Sequence, residues 1–176
     1  MPDFIASISE KAQQLTEIGK STKDKQALIN VSEVFYVWDI TVMKFDILTT
    51  VRIMENFIDD KDLKFIAGAL SKGLITGIED MKRIMEEHSI PFPVRPPAGS
   101  VTTACTECMT DQFIYETFVE AIQSFFPVLG SGFMNCTSPK VRKAIKSHLL
   151  LTIELQELVV EYGKLKGFLN QPPIYR

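Results

Sequence analysis

The chain has 176 residues, 45% of them hydrophobic, and a net charge of −3 with a pI near 5.5, which suits one compact domain, residues 1–176, with a sizeable core. Its lysines and arginines are dispersed among acids, so there is no basic field for a phosphate backbone and a nucleic-acid partner is not expected. The N-terminal MPDFIASISEK lacks a basic n-region and an apolar h-region, and no apolar run reaches 18 residues, so the expectation is cytoplasmic synthesis and no membrane partner.

Residues 4–18 place Ile5, Ile8, Ala12, Leu15 and Ile18 at helical spacing, with Asp3 as N-cap and Gly19 as stop. This predicts a short leader helix, followed by the polar link KSTKDK. A first long helix is expected over 26–58 with two adjacent apolar stripes: Leu28, Val31, Phe35, Trp38, Val42, Phe45 and Tyr36, Ile40, Met43, Ile47, Met54, Phe57. So wide an arc needs cover from the leader or from a second subunit, which predicts a homodimer. After the IDDKD turn, a second helix over 62–88 carries the seam Leu63, Ala67, Leu70, Leu74, Gly77, Met81, Ile84 and His88, and Gly73 and Gly77 predict close approach of a neighbour.

SIPFPVRPPAG, residues 89–99, then excludes helix, because its prolines fix φ and remove amide donors. The stretch 89–109 is a stiff extended strap, long enough at about 3.1 Å per residue to cross the length of a bundle. A third long helix starts with Thr110 or Asp111 as cap and carries the stripes Ile114, Phe118, Ala121, Phe125 and Tyr115, Val119, Ile122, Phe126, with a kink expected at Pro127. GSGFMNCTSP is expected as loop. Ser138 before Pro139 opens a fourth helix with the seam Ala144, His148, Leu151, Leu155, Leu158, Tyr162 and Leu165, ending at Gly167 before a tail over 170–176. Two long hairpins, 26–88 and 110–169, joined by an extended crossover describe an all-α fold: the ferritin-like variant of the four-helix bundle, with an extra N-terminal helix.

Bundles of this kind often hold two metals through inward carboxylates and paired Glu-x-x-His motifs. Met85 precedes His88 and Ile145 precedes His148 at the required offset, so both motifs are missing, and no metal, cofactor or catalytic residue is expected. Asp39 and Asp46 fall between the two stripes of the first long helix, where an ionised carboxylate is costly unless paired. Hydrogen bonding to nearby hydroxyls explains them most simply; a small-ion or ligand site with His148 is the alternative. Cys105 and Cys108 form CTEC ahead of the third helix, a position where a helix dipole can lower a thiol pKa; ordinary unreactive cysteines explain them most simply, and a redox-sensitive dithiol is the other alternative.

The segments DKDLKFIAGALSKGLITGIEDMKRIMEEHSIPFPVRPP and YGKLKGFLNQPPIYR resemble the spore coat proteins of spore-forming bacteria that are similar to spore coat protein F, a ferritin-like family of unassigned activity. The turn is carried by Asp60, Lys61, Asp62, Leu63 and Lys64, the strap by Ile90, Pro91, Pro93, Pro96 and Pro97, and the tail by Lys166, Gly167, Phe168, Leu169, Pro172 and Pro173. The resemblance spans most of residues 30–176 and implies a bundle associated with sporulation and the spore coat, with other coat proteins or a second copy as partners. It transfers no catalytic residue, and CTEC departs from its pattern. The leading expectation is a structural or interaction protein without catalysis, against a metal- or ligand-binding bundle using Asp39, Asp46 and His148, or a thiol sensor using Cys105 and Cys108.

Overall fold

Asn30 sets the start of the first long helix. Its side-chain oxygen accepts from the Glu33 amide at 2.9 Å while Glu33 Oε2 accepts from the Asn30 amide at 2.8 Å, a reciprocal cap worth about 1 kcal/mol. The expected start at residue 26 is therefore corrected: Thr22–Gln26 is a separate short helix, α1, and Val31–Met54 is α2, closed by a 3-10 turn over Glu55–Phe57. Three further helices follow, α3 (Lys61–His88), α4 (Asp111–Asn135) and α5 (Pro139–Lys166), and there is no strand among the described residues. The computed structural model describes residues 18–94 and 109–169, with Ile8, Lys11, Ala12 and Leu15 of the leader. Those four are helical, and Gly19 stands at φ 78°, the left-handed geometry of a helix stop. Asp3 and Ile5 lie outside the described residues.

The ends of the helices fix the topology. At one end Asp111 Oδ1 and Oδ2 accept the amides of Asp59 and Asp60 at 3.0 Å, and Lys166 Nζ pairs with Asp60 Oδ2 at 2.6 Å, so α3 and α4 both begin where α5 finishes. At the other end Lys140 pairs with Glu87, and His88 Nδ1 lies 2.9 Å from the Lys25 carbonyl. α3 and α4 run parallel, and the chain between them must travel the length of a 28-residue helix, about 42 Å. Ser89 adopts φ 51° and the Ile90 amide reaches back to the Met85 carbonyl at 2.8 Å, turning the chain into that crossover. Each of α2 and α5 flanks both other helices, α2 against α3 and α4, and α5 against α4 and α3.

The α3 seam is buried along its whole length as expected, from Leu63 to His88. Two other expectations are corrected. The segment GSGFMN is helical, because α4 continues through Pro127 to Asn135. Pro127 sits on the exposed side, while Leu129 and Gly132 are buried, and Arg142 Nη1 donates to the Phe133 and Cys136 carbonyls at 2.9 and 2.8 Å, so tertiary contacts outweigh the poor helix propensity of the segment. On α5 His148, Leu155 and Tyr162 of the expected seam are buried, but Val141, Ile145, Thr152 and Val159 complete the buried face while Ala144, Leu151 and Leu158 are half-buried and Leu165 is 75% exposed.

The largest departure is on α2. Its core face is Glu33, Val37, Ile40, Thr41, Lys44, Leu48, Val51 and Met54. Val31, Phe35 and Trp38, from the first expected stripe, are instead exposed, at 86%, 56% and 41%. Ile8, Leu15 and Ile18 of the leader are exposed as well, so those residues do not provide the expected cover.

Candidate functional site at the bundle centre

Lys44 lies in phase with Val37, Ile40, Thr41, Leu48 and Val51, so helical periodicity carries its side chain into the core, where it is 4% exposed. Gly77 on α3 makes room for it. A Cβ at that position would lie 2.6 Å from both Cε and Nζ of Lys44, so Gly77 admits the lysine rather than a neighbouring backbone. Gly73, one turn earlier, meets Leu151 of α5, whose Cδ2 would be 3.0 Å from a Cβ. α4 contributes the face of Phe125, with the Lys44 ammonium 4.8 Å from the ring centroid. α5 contributes His148, 3% exposed, whose Nε2 stands 3.5 Å from Asp80 Oδ2 of α3. Lys44, Gly73, Phe125, His148 and Thr152 line a cavity of about 20 Å³, room for roughly one water.

Burial pushes the Lys44 amine down to about 8, against the opposing pull of the Asp80 charge. Burial first, and then the Lys44 charge, push His148 down to about 4, again opposed by Asp80. At neutral pH the centre therefore holds a charged lysine and a neutral imidazole. The 3.5 Å separation of His148 from Asp80 is too long for a good hydrogen bond, and His148 Nε2 is buried with no hydrogen-bond partner.

Of the candidate site residues Asp39, Asp46 and His148, only His148 belongs to this centre. Asp46 is exposed and Asp39 is half-buried, because both lie beside the outward apolar stripe of α2 rather than on its core face. Lys44 and Asp80 were missed. The available signal was the phase of Val37, Ile40, Leu48 and Val51, which an apolar-only stripe search breaks at Lys44, together with a glycine at 77 where α3 faces it. Cys105 and Cys108 lie outside the described residues. Cys136 is buried and free, and burial, with the Glu33 charge, pushes its thiol up to about 11, far from a reactive thiolate.

No group of three or more His, Cys, Asp or Glu that could hold a metal occurs among the described residues. Bundle metal sites take their ligands from facing helices at the core, and here a lysine ammonium projects into that space and repels a cation. Glu79, Glu116, Glu120, Glu154, Glu157 and Glu161 are all exposed and do not reach the core.

The bundle ends are tied by buried polar and aromatic groups. Glu33, 1% exposed, accepts the Thr137 amide at 2.6 Å and the Ser138 amide as well as capping its own helix, so one carboxylate joins α2 to the α4–α5 turn. At the opposite end Tyr115, Tyr162 and Phe168 pack in tilted and edge-on contact, with centroids 5.6 to 6.2 Å apart. Burial and the nearby Asp60 and Asp111 charges raise the Tyr162 hydroxyl far above its ordinary range.

No protein-family model matches the sequence, and no curated protein does. Among solved structures, a protein of Bacillus halodurans C-125 described as a putative spore coat protein matches with a TM-score of 0.78 at 15% identity, covering 89% of this chain and 99% of its own. A two-domain protein of Anabaena variabilis with DJ-1/ThiJ/PfpI-like and ferritin-like domains matches with a TM-score of 0.61 at 14% identity, covering 90% of this chain and 42% of the larger one. No described helix is long and apolar enough to cross a membrane. The motif resemblance and the lengthwise crossover agree with these neighbours, and the chain is a ferritin-like four-helix bundle with the architecture of that putative spore coat protein.

Proposed function

We propose that the protein is a structural or interaction component of the spore-coat type, acting through its surface and not through a reaction at its core. The outward face of α2 carries this reading. Val31, Phe35 and Trp38 recur at three- and four-residue spacing and stay exposed while polar Glu33, Thr41 and Lys44 take the inward face. A helix that turns its aromatic side to solvent and a lysine to the core has a surface suited to a partner. The partner is a second copy of the chain or another coat protein. The centre supports the absence of metal oxidation chemistry through the Lys44 charge, and the neighbour described as a putative spore coat protein supports the biological setting.

Trp38 is the single tryptophan and reports on this face directly. Its emission is expected to shift to the blue as concentration rises, in step with a dimer mass by ultracentrifugation, and Phe35→Ser is expected to abolish both. A tagged copy is expected at the spore surface during sporulation. A concentration-independent monomer with unchanged Trp38 emission, together with a tagged copy confined to vegetative cells, would sink the proposal.

A further inference from the structure

The side of α5 that faces away from the bundle is sorted by charge along its length. From Pro139 to His148 the helix has no acidic residue, and from Leu149 to Gly163 it has no basic one. Lys143 and Lys146 are exposed in the first half, Glu154 and Glu157 in the second, and Leu150 stands between them at 51% exposure. At about 100° per residue the four charged residues all fall within about 40° of the Leu150 direction, so the five make one straight stripe. An exposed helical face is ordinarily laced with opposite charges three or four residues apart, which support the helix. Here the neighbours on the stripe are alike: Lys143 with Lys146, Glu154 with Glu157, and Glu157 with Glu161. Like charges at these spacings weaken a helix on its own, so the sorting does not serve α5 by itself.

We propose that this stripe is a self-complementary contact on which a second copy of the chain docks, its α5 antiparallel to the first about a two-fold axis at Leu150. Residues equally far before and after Leu150 then face each other. Lys143 meets Glu157 of the partner subunit, Lys146 meets Glu154 of the partner subunit, and the symmetry doubles both pairs. Leu150 meets its counterpart on the axis, and Ile153, 41% exposed, lies over the partner's Ser147. A parallel arrangement sets lysine against lysine and glutamate against glutamate, so the charges select the antiparallel one. A two-fold contact requires one patch complementary to itself, and the stripe is such a patch. Lys143 and Lys146 each have a contact within their own chain as well; being exposed, they exchange it for one across the axis at little cost. α2 and α5 stand diagonally, since each packs against α3 and α4, so the stripe lies on the opposite side of the bundle from Phe35 and Trp38. Like the α2 face, this contact presumes a protein that acts through its surface, and it adds a second point of attachment. A chain that pairs through α2 on one side and through α5 on the other extends into a row instead of stopping at two. With one leucine pair at its centre and exposed ion pairs around it, the α5 contact is weak, on the order of 1 mM, and fills only after the α2 face has paired.

Small-angle X-ray scattering of the full-length Phe35→Ser protein tests this, because that substitution removes the α2 pairing and leaves α5 untouched. At about 1 mM protein, masses approaching the dimer are expected in about 20 mM salt and a monomer mass in about 0.5 M salt, where ion pairs are screened. Added to that chain, Lys143→Glu with Lys146→Glu, or Glu154→Lys with Glu157→Lys, is expected to weaken the association at least about tenfold, since each turns the stripe to one sign. An equimolar mixture of the two reversed chains is expected to recover the higher mass, and so is one chain carrying all four reversals, because facing positions are again opposite in sign. All four positions are exposed, so the exchanges leave the fold in place. In chains that keep Phe35 the reversals leave the concentration dependence of Trp38 emission unchanged, which tells a failure at α5 from a failure at α2. A Phe35→Ser protein that stays a monomer at low salt, an association that the reversals do not weaken, or a mixture that stays monomeric overturns the proposal.

Discussion

Replacing Lys44 by methionine removes a charge from the bundle centre while keeping a long, unbranched chain in the room cleared by Gly77. The folded amine titrates at about 8 against an ordinary 10.5. A difference of roughly 2.5 pH units, at 1.36 kcal/mol each, makes the buried ammonium cost on the order of 3 kcal/mol below pH 8. The sign follows from proton counting. Between about pH 8 and 10.5 the unfolded chain binds more protons at this lysine than the folded one, so stability rises with pH across that window, and below it the full cost is present. The ammonium's contact with the Phe125 ring is lost, but a thioether against the same ring replaces part of it, at about 0.3–1.5 kcal/mol. Asp80 is not stranded, since its side chain is 26% exposed and pairs with Arg83. Lys44→Met is therefore expected to be more stable by about 2–3 kcal/mol at pH 7, with the gain fading as pH climbs towards 10.5. Urea unfolding at pH 7, 8, 9 and 10 measures it. A variant less stable than wild type at every pH, or a difference flat across the series, would refute the account of the centre as a desolvated charge.

Three other outcomes test the ends and the cysteine. A Cβ in Gly163→Ala would lie 1.9 Å from Tyr115 Oη, inside a ring cluster that cannot retreat, so a loss of about 2–3 kcal/mol is expected after the helix-propensity gain, read as a melting temperature lower by roughly 5–10 °C. Glu33→Ala strips the acceptor from the Asn30, Thr137 and Ser138 amides and is expected to cost on the order of 3 kcal/mol in chemical denaturation; a change under about 0.5 kcal/mol would mean the carboxylate is dispensable. In a Cys105→Ser/Cys108→Ser background, Cys136 is expected to resist a thiol reagent at pH 8 until the protein unfolds, and fast modification of the native state would contradict its burial.

The sequence by itself determined the elements whose signals are local. Prolines at 91, 93, 96 and 97 marked the stretch after α3 as unsuited to helix, Thr110 or Asp111 marked the start of α4, Gly167 marked the left-handed stop of α5, and the regular seam of α3 was legible because apolar residues and glycine make it up to His88. Those features also carried the crossover and hence the fold. What only the tertiary structure decided was which face of α2 points inward, because its hydrocarbon is spread round the helix and the core side is marked by Glu33, Thr41 and Lys44. Burial of such groups depends on partners from other helices: the amides of Thr137 and Ser138 for Glu33, and the Gly77 clearance and Phe125 face for Lys44. Periodicity within one helix reports how much apolar surface that helix has. Which polar residue can be taken into the core is set by what stands opposite it, and that is a property of the packed bundle.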